Sequence, residues 1–158
     1  MIILWRLDDR LIHGQVISVL VPKLNIGAIA TISKSIAEDT FRQELYRLAC
    51  PHHLVLHFVS VDEASQHYEK WLHDSKRYIL LFEKPQDMHL LAQMVGVPPE
   101  INLANLGHQA GREMLFESLY LDEAEKAALN SLTELGAKIF YQQVPNGDLH
   151  GYLGVRGK

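Results

Sequence analysis

The chain has 158 residues, 47% of them hydrophobic, with a formal net charge of −4, nine histidines and one cysteine. That is enough chain for one well-buried core and too little for two typical domains, and the negative balance gives no electrostatic footprint for nucleic acid or for an acidic membrane surface. No apolar stretch approaches the roughly 20 residues of a spanning helix, the N-terminus lacks the marks of a signal peptide, and a lone Cys50 permits neither an intrachain disulfide nor a cysteine-rich zinc site, so the expectation is a cytoplasmic protein with no cofactor and no metal.

Apolar runs alternate with amphipathic segments from end to end, the pattern of an α/β fold with an open, mostly parallel central sheet of about six to seven strands and helices on both faces. Met1 to Leu7 reads as a buried strand. A polar turn follows, then a helix from Gln15 to Leu24 that Pro22 interrupts late. Ala28 to Ser33 is the second strand, and Ile36 to Ala49 reads as one helix whose Phe41, Leu45 and Leu48 form a core-facing stripe ending near a buried Cys50. Leu54 to Ser60 is the third strand. His53 and His57 would stand about 13 Å apart along it, too far to share an ion.

Ser60 with Glu63 marks a helix start, Arg77 to Phe82 a fourth strand, and Gly96 the end of the helix after it. Glu100 to Asn105, Ser118 to Leu121 and Lys138 to Gln143 are further strands. Asp122 with Glu125 opens the last helix, and Gly136 closes it. One domain over residues 1–145 is expected, followed by a glycine-rich tail, 146–158, that is mobile or ordered by a partner.

The turn after the first strand reads Arg6-Leu7-Asp8-Asp9-Arg10-Leu11-Ile12-His13-Gly14-Gln15-Val16. Reacting groups of parallel sheets sit beyond the carboxyl ends of strands, and an imidazole is a competent nucleophile near neutral pH. Arg10 offers a planar fork suited to phosphate oxygens, Gly14 lets the backbone approach an anion, and a helix starting at Gly14 or Gln15 adds unpaired N–H groups. Asp8 or Asp9 can accept from an imidazole N–H and set the tautomer. Ser33 and Lys34, Glu83 and Lys84, and Asn105, His108 and Arg112 follow other strands at the same edge, where Lys34, Lys84 and Arg112 favour phosphate. Taken singly, each of these is more commonly a solvated loop residue.

The long N-terminal motif resembles the IIB subunits of the mannose/fructose/sorbose class of the bacterial phosphoenolpyruvate-dependent sugar phosphotransferase system. The likeness continues through Ile32-Ser33, Ile36-Ala37-Glu38-Asp39, Leu80-Leu81-Phe82 with Pro85 and Asp87, Ile101-Asn102 and Gly111-Arg112, and so spans Arg6 to about Val144. It implies a protein-Nπ-phosphohistidine–sugar phosphotransferase in which His13 takes a phosphoryl group on Nδ1 from a phosphohistidine of a IIA partner. His13 then passes it to a sugar held by membrane subunits IIC and IID, at the inner face of the membrane. By this resemblance His13, Arg10 and Asp9 are the catalytic set. Arg6, Asp8, Gly14, Gln15, Ser33, Lys84 and Arg112 bind phosphate or shape the loops.

The chain departs from the family where Ser33-Lys34-Ser35 replaces an acidic or amide pattern and where Ala104 and Asn105 replace glycines, which bears on partner contacts rather than on His13. Two other readings compete. A receiver-like phosphoacceptor would use an aspartate and Mg²⁺, but the third strand ends Val59-Ser60 without that aspartate; a docking module would use the same crevice without covalent chemistry. Whether copies of the chain form a homo-oligomer, and which sugar is served, stay open at this level.

Overall fold

The computed structural model describes residues 1–152. A seven-stranded sheet runs in the order β3-β2-β4-β1-β5-β8-β9. Its members are β1 (Ile2–Asp8), β2 (Ala28–Ile32), β3 (Val55–Val59), β4 (Tyr78–Phe82), β5 (Ile101–Asn105), β8 (Ile139–Tyr141) and β9 (His150–Gly151). All pairings are parallel except that of β9 on β8.

The inner strands are buried on both faces, and alternation divides their side chains between two cores. Trp5, Leu7, Leu80 and Phe82 meet helices α4 (Val61–His73), α5 (Pro85–Val95) and α6 (Glu123–Glu134). Leu4, Ile29, Ile79 and Leu81 face the helix after β1 together with Ile36. Arg6 and Asp8 share the face of Leu4, because residues two apart along a strand point the same way. From β1 the chain moves to β2 on one side, and from β5 to β8 on the other. The sheet's switch point therefore lies between β1 and β5, where α/β folds open a crevice at the strand ends.

Several expected elements take a different form. The helix after the polar turn contains a π-helical turn, Val16–Leu20, leading into α1 (Val21–Leu24). Pro22 accounts for the widening: its ring would collide with the carbonyl four residues earlier in a regular helix, and Val21 N–H bonds to Val16 instead. The expected helix from Ile36 to Ala49 is two, α2 (Lys34–Ala37) and α3 (Thr40–Ala49), because Asp39 caps the second through Arg42 N–H at 3.0 Å.

The Phe41, Leu45 and Leu48 stripe does not face the core; these residues are 72%, 50% and 83% exposed. α3 instead leans inward through Gln43, which donates to the carbonyls of Ile36 and Ala37, and through Tyr46, stacked on Phe58. The strand expected at Ser118 lies outside the main sheet, where β7 (Leu119–Leu121) pairs antiparallel with β6 (Glu113–Phe116). The expected tail is structured over its described part: β9 completes the sheet and Tyr152 is buried. Residues 153–158 of that tail lie outside the described chain.

Edge strand β3 carries His57 against the rings of Trp71 and Tyr78, centroids 5.4 and 5.9 Å away and themselves in contact at 5.8 Å, with Nε2 shielded and unpaired among the described residues. Burial holds this imidazole below its ordinary value, with His67 and Lys70 pushing the same way and Asp74 opposing. The unfolded chain protonates this group near about pH 6.5 while the folded chain resists, so stability falls as pH drops below that point. Replacing His57 by Phe keeps an aromatic ring in the stack and is expected to flatten the loss of urea midpoint between about pH 7.5 and about pH 5.5. An undiminished loss in that variant excludes His57 as its source.

Candidate functional site

The site is built around the carboxylate of Asp8, the last residue of β1, which is fully buried. Its Oδ2 accepts from His13 Nε2 at 2.8 Å, Arg10 Nη2 at 3.1 Å and Arg6 Nη2 at 3.2 Å. Oδ1 accepts from the Arg10 backbone N–H at 3.1 Å and Arg10 Nε at 3.0 Å. Burial alone would raise this carboxyl; the hydrogen bonds from His13 and Arg10 and the charge of Arg6 outweigh it and hold it at about 2, against an ordinary 3.8.

The turn is tight because Leu11 N–H returns to the Asp8 carbonyl at 2.9 Å while Leu11 adopts φ 55. A left-handed conformation is costly for leucine, and it persists here because the side chain is wholly buried. That reversal brings His13 back over the strand end. Its side chain is 17% exposed and that of Arg10 37%, so both remain reachable from solvent.

An ionised carboxylate only accepts, so the imidazole nitrogen facing Asp8 carries the proton and Nδ1 carries the lone pair. Arg10 binds Asp8 through its Nε and Nη2, which turns the Nη1 edge of the fork away from Asp8. The first helical bond after the turn runs from Ile17 N–H to the His13 carbonyl at 3.1 Å. The N–H groups of Gly14, Gln15 and Val16, which follow His13 in the chain, therefore come before any intrahelical acceptor. A Cβ built on Gly14 would meet nothing within 4 Å, so there is open space at that point. Such an arrangement has the donors to hold an anion next to a nitrogen lone pair.

The remaining candidates divide sharply. Asp9, expected in the catalytic set, does not touch the ring. Being the next residue along, it points away from Asp8 and takes Asn105 Nδ2 at 2.7 Å and Gly107 N–H at 2.8 Å, fastening the loop after β5. Orientation of the imidazole belongs to Asp8.

Arg112 is occupied by both oxygens of Glu125, at 2.8 and 2.9 Å, and by the Gly107 carbonyl at 2.8 Å. It shapes the loop and is not a free phosphate ligand. Ser33 is buried, caps α2 and donates to Glu83 at 2.6 Å, tying the ends of β2 and β4. Lys84 stands exposed at the cap of α5, two residues past the strand beside β1. His108 sits edge-on to Tyr120 as an exposed loop residue.

Two groups acquire a place at the site only in three dimensions. Asn102 is paired in register with Arg6 across β1 and β5, and its Oδ1 accepts from Arg6 Nη1 at 2.5 Å. The Gln143 carbonyl accepts from Arg6 Nη2 at 3.0 Å. Among the described residues no group of three or more histidine, cysteine or acidic side chains gathers as for a metal ion.

A family model described as "PTS system sorbose subfamily IIB component" matches residues 2–152. The sorbose-specific EIIB component of Lacticaseibacillus casei is 30% identical over 152 residues, covering 94% of this chain and 92% of that protein. The mannose-specific EIIAB component of Escherichia coli K12 is 28% identical over 141 residues, covering 89% of this chain and 44% of that protein. Among solved structures, the IIBSor domain of the sorbose permease from Klebsiella pneumoniae superposes with a TM-score of 0.88 at 27% identity, over 95% of this chain and 92% of that one.

Replacing Asp8 by Asn keeps the shape of the hub but leaves Arg6 buried without a counter-charge. A loss of about 3 kcal/mol in urea unfolding is expected near neutral pH. His13→Ala should stay within about 1 kcal/mol of the parent. The Asp8 contribution is complete above pH 3.8 and disappears as pH falls toward about 2, so the two chains should converge in acid. Equal stability at neutral pH would show that Arg6 does not depend on Asp8.

Proposed function

The chain belongs to the IIB components of the sorbose subfamily of the sugar phosphotransferase system, and from that premise we propose that His13 carries the phosphoryl group on Nδ1. Components of this family receive a phosphoryl group from IIA and deliver it to a sugar with the membrane components IIC and IID. The observation that supports the assignment within this chain is the 2.8 Å contact of Nε2 with Asp8, which leaves Nδ1 as the free lone pair.

Transfer then proceeds in line. The Nδ1 lone pair forms a bond to phosphorus as the nitrogen–phosphorus bond of the donor phosphohistidine breaks, and that electron pair returns to the donor imidazole. Positive charge grows on the His13 ring as the bond forms, and the Asp8 carboxylate at Nε2 stabilises it. The outward edge of Arg10 and the N–H groups of Gly14, Gln15 and Val16 receive the equatorial oxygens, so catalysis is positioning plus preorganised charge. In the second half-reaction a sugar hydroxyl attacks the same phosphorus and gives up its proton to water or to a base beside the sugar, while the breaking nitrogen–phosphorus bond returns its pair to Nδ1 and His13 leaves as neutral imidazole.

Relatives bear the names of sorbose, mannose, fructose and N-acetylgalactosamine, so the acceptor proposed is a hexose or hexosamine hydroxyl. None of the described helices is long and apolar enough to cross a membrane. Association with the bilayer would run through IIC and IID.

A receiver-like aspartyl phosphate fits less well, because Asp8 already accepts five hydrogen bonds and Asp9 is tied to the loop after β5. Phosphoryl transfer from phosphoenolpyruvate through the general phosphotransferase proteins and a IIA partner is expected to label His13, with the label lost in acid and kept in base. Labelling of His13→Ala, or a base-labile label, sinks the assignment. Arg10→Lys keeps charge but loses the fork, and a transfer rate lower by about 10-fold is expected with the fold intact. An unchanged rate removes Arg10 from the mechanism.

A further inference from the structure

We propose that Asn102 is a positioning residue for phosphoryl transfer: through Arg6 it fixes the Asp8 carboxylate in the orientation that keeps the His13 proton on Nε2 and the lone pair on Nδ1. The proposal rests on the reading of His13 as the phosphoryl carrier.

The geometry is a buried chain of directed contacts. Asn102 Oδ1 accepts from Arg6 Nη1, Arg6 Nη2 donates to Asp8 Oδ2, and the same Oδ2 accepts from His13 Nε2. Asn102 is 2% exposed and Arg6 1%, so no solvent competes for these groups. The amide has only one workable orientation. Its Nδ2 donates to the carbonyls of Gln142 and Leu103 at 3.1 and 3.2 Å, while its Oδ1 faces a guanidinium that can only donate. A flipped amide would set NH2 against the guanidinium and oxygen against two carbonyls.

Arg6 in turn has its Nη groups directed by Asn102, the Gln143 carbonyl and Asp8, and its Nε is buried without a partner among the described residues. Loss of the Asn102 acceptor frees one end of the guanidinium, which can then swing toward Gln143 and away from Asp8. The charged groups around Asp8 are Arg6 from its own strand, Arg10 from the turn and His13 from the helix start; Asp9 is turned toward Asn105 and Gly107. With Arg6 withdrawn, the Asp8 charge is less compensated and attracts a proton to the imidazole more strongly. A larger share of His13 is then imidazolium, with no lone pair for attack.

The test compares the parent with Asn102→Leu, which removes the acceptor at similar volume, and Asn102→Asp, which keeps an acceptor for Arg6 while its added charge competes with Asp8 for the guanidinium. The first readout is the titration and tautomer of His13 by nitrogen-15 NMR on the unphosphorylated chain. The second is the pH profile of phosphorylation from phospho-IIA. Both variants are expected to raise the His13 titration midpoint by roughly half a unit or more, to move the acid limb of the rate profile upward by the same amount, and to slow transfer near neutral pH several-fold.

Should Asn102→Leu fail to fold, Asn102→Asp carries the test, since buried Arg6 keeps a charged partner there although the donations to the Gln142 and Leu103 carbonyls are lost. Variants that lose stability yet retain the parental His13 titration and pH profile overturn the proposal and make Asn102 structural only. Failure of the parent to take phosphate on His13 would instead overturn the carrier assignment, and the NMR titration would still read the Asn102 effect.

Discussion

One buried carboxylate facing two guanidinium groups and an imidazole is the constraint on which the rest of the site depends. Asp8 carries one negative charge against the two positive charges of Arg6 and Arg10, so the resting hub has an excess of one positive charge while His13 is neutral. Buried charge is expensive unless it is paired and hydrogen-bonded, and this cluster is well bonded but not balanced. A phosphoryl group brings close to two negative charges on its oxygens against the one positive charge that forms on the His13 ring, a net change of one that cancels the excess. The hub therefore attracts an anion when empty and tolerates it when loaded, as a carrier with two successive partners requires.

The fold supplies this arrangement through simple strand arithmetic. Leu4, Arg6 and Asp8 point to one face of the central strand, so a polar pair emerges at the end of an otherwise apolar row. Asp9 emerges on the opposite side and binds the loop after β5, where Asn105 and Gly107 receive it. Two adjacent aspartates thus perform different work because the strand alternates. The switch point between β1 and β5 is where both meet, and Arg112 braces the Gly107 carbonyl from α6 through Glu125. The left-handed Leu11 stores local strain that these surrounding contacts sustain.

Much of this was legible in the sequence, and the parts that were not share a cause. Buried strands, the caps at Ser60, Asp122 and Gly136, and the polar turn after β1 are local signals, readable from residues three or four apart. Asn102 was visible as part of a family pattern, but its role depends on register with β1, ninety-six residues away in the chain. The choice between Asp8 and Asp9 needed the strand's end to be placed to the residue, the least certain quantity in any reading of periodicity. The stripe Phe41, Leu45, Leu48 has helical spacing whichever way the helix faces, and only the packing of Gln43 and Tyr46 shows that it turns outward. Tail residues His150 and Gly151 have no strand pattern of their own; the open edge of β8 makes them a strand.

The unusual Ser33-Lys34-Ser35 run illustrates how a site can change residues and keep its chemistry. The family resemblance leads one to expect an acidic or amide group after the second strand; this chain has a lysine there, yet a carboxylate is still present at that point. Glu83, from the end of β4, accepts from Ser33 at 2.6 Å and from Ser35 at 3.3 Å. The hydroxyls bring the acid across from the neighbouring strand, and Lys34 is left exposed at the start of α2. The rim thus gains an outward positive charge without losing the acceptor that ties β2 to β4. Such a change leaves the Asp8 hub untouched and alters the surface that a docking partner meets.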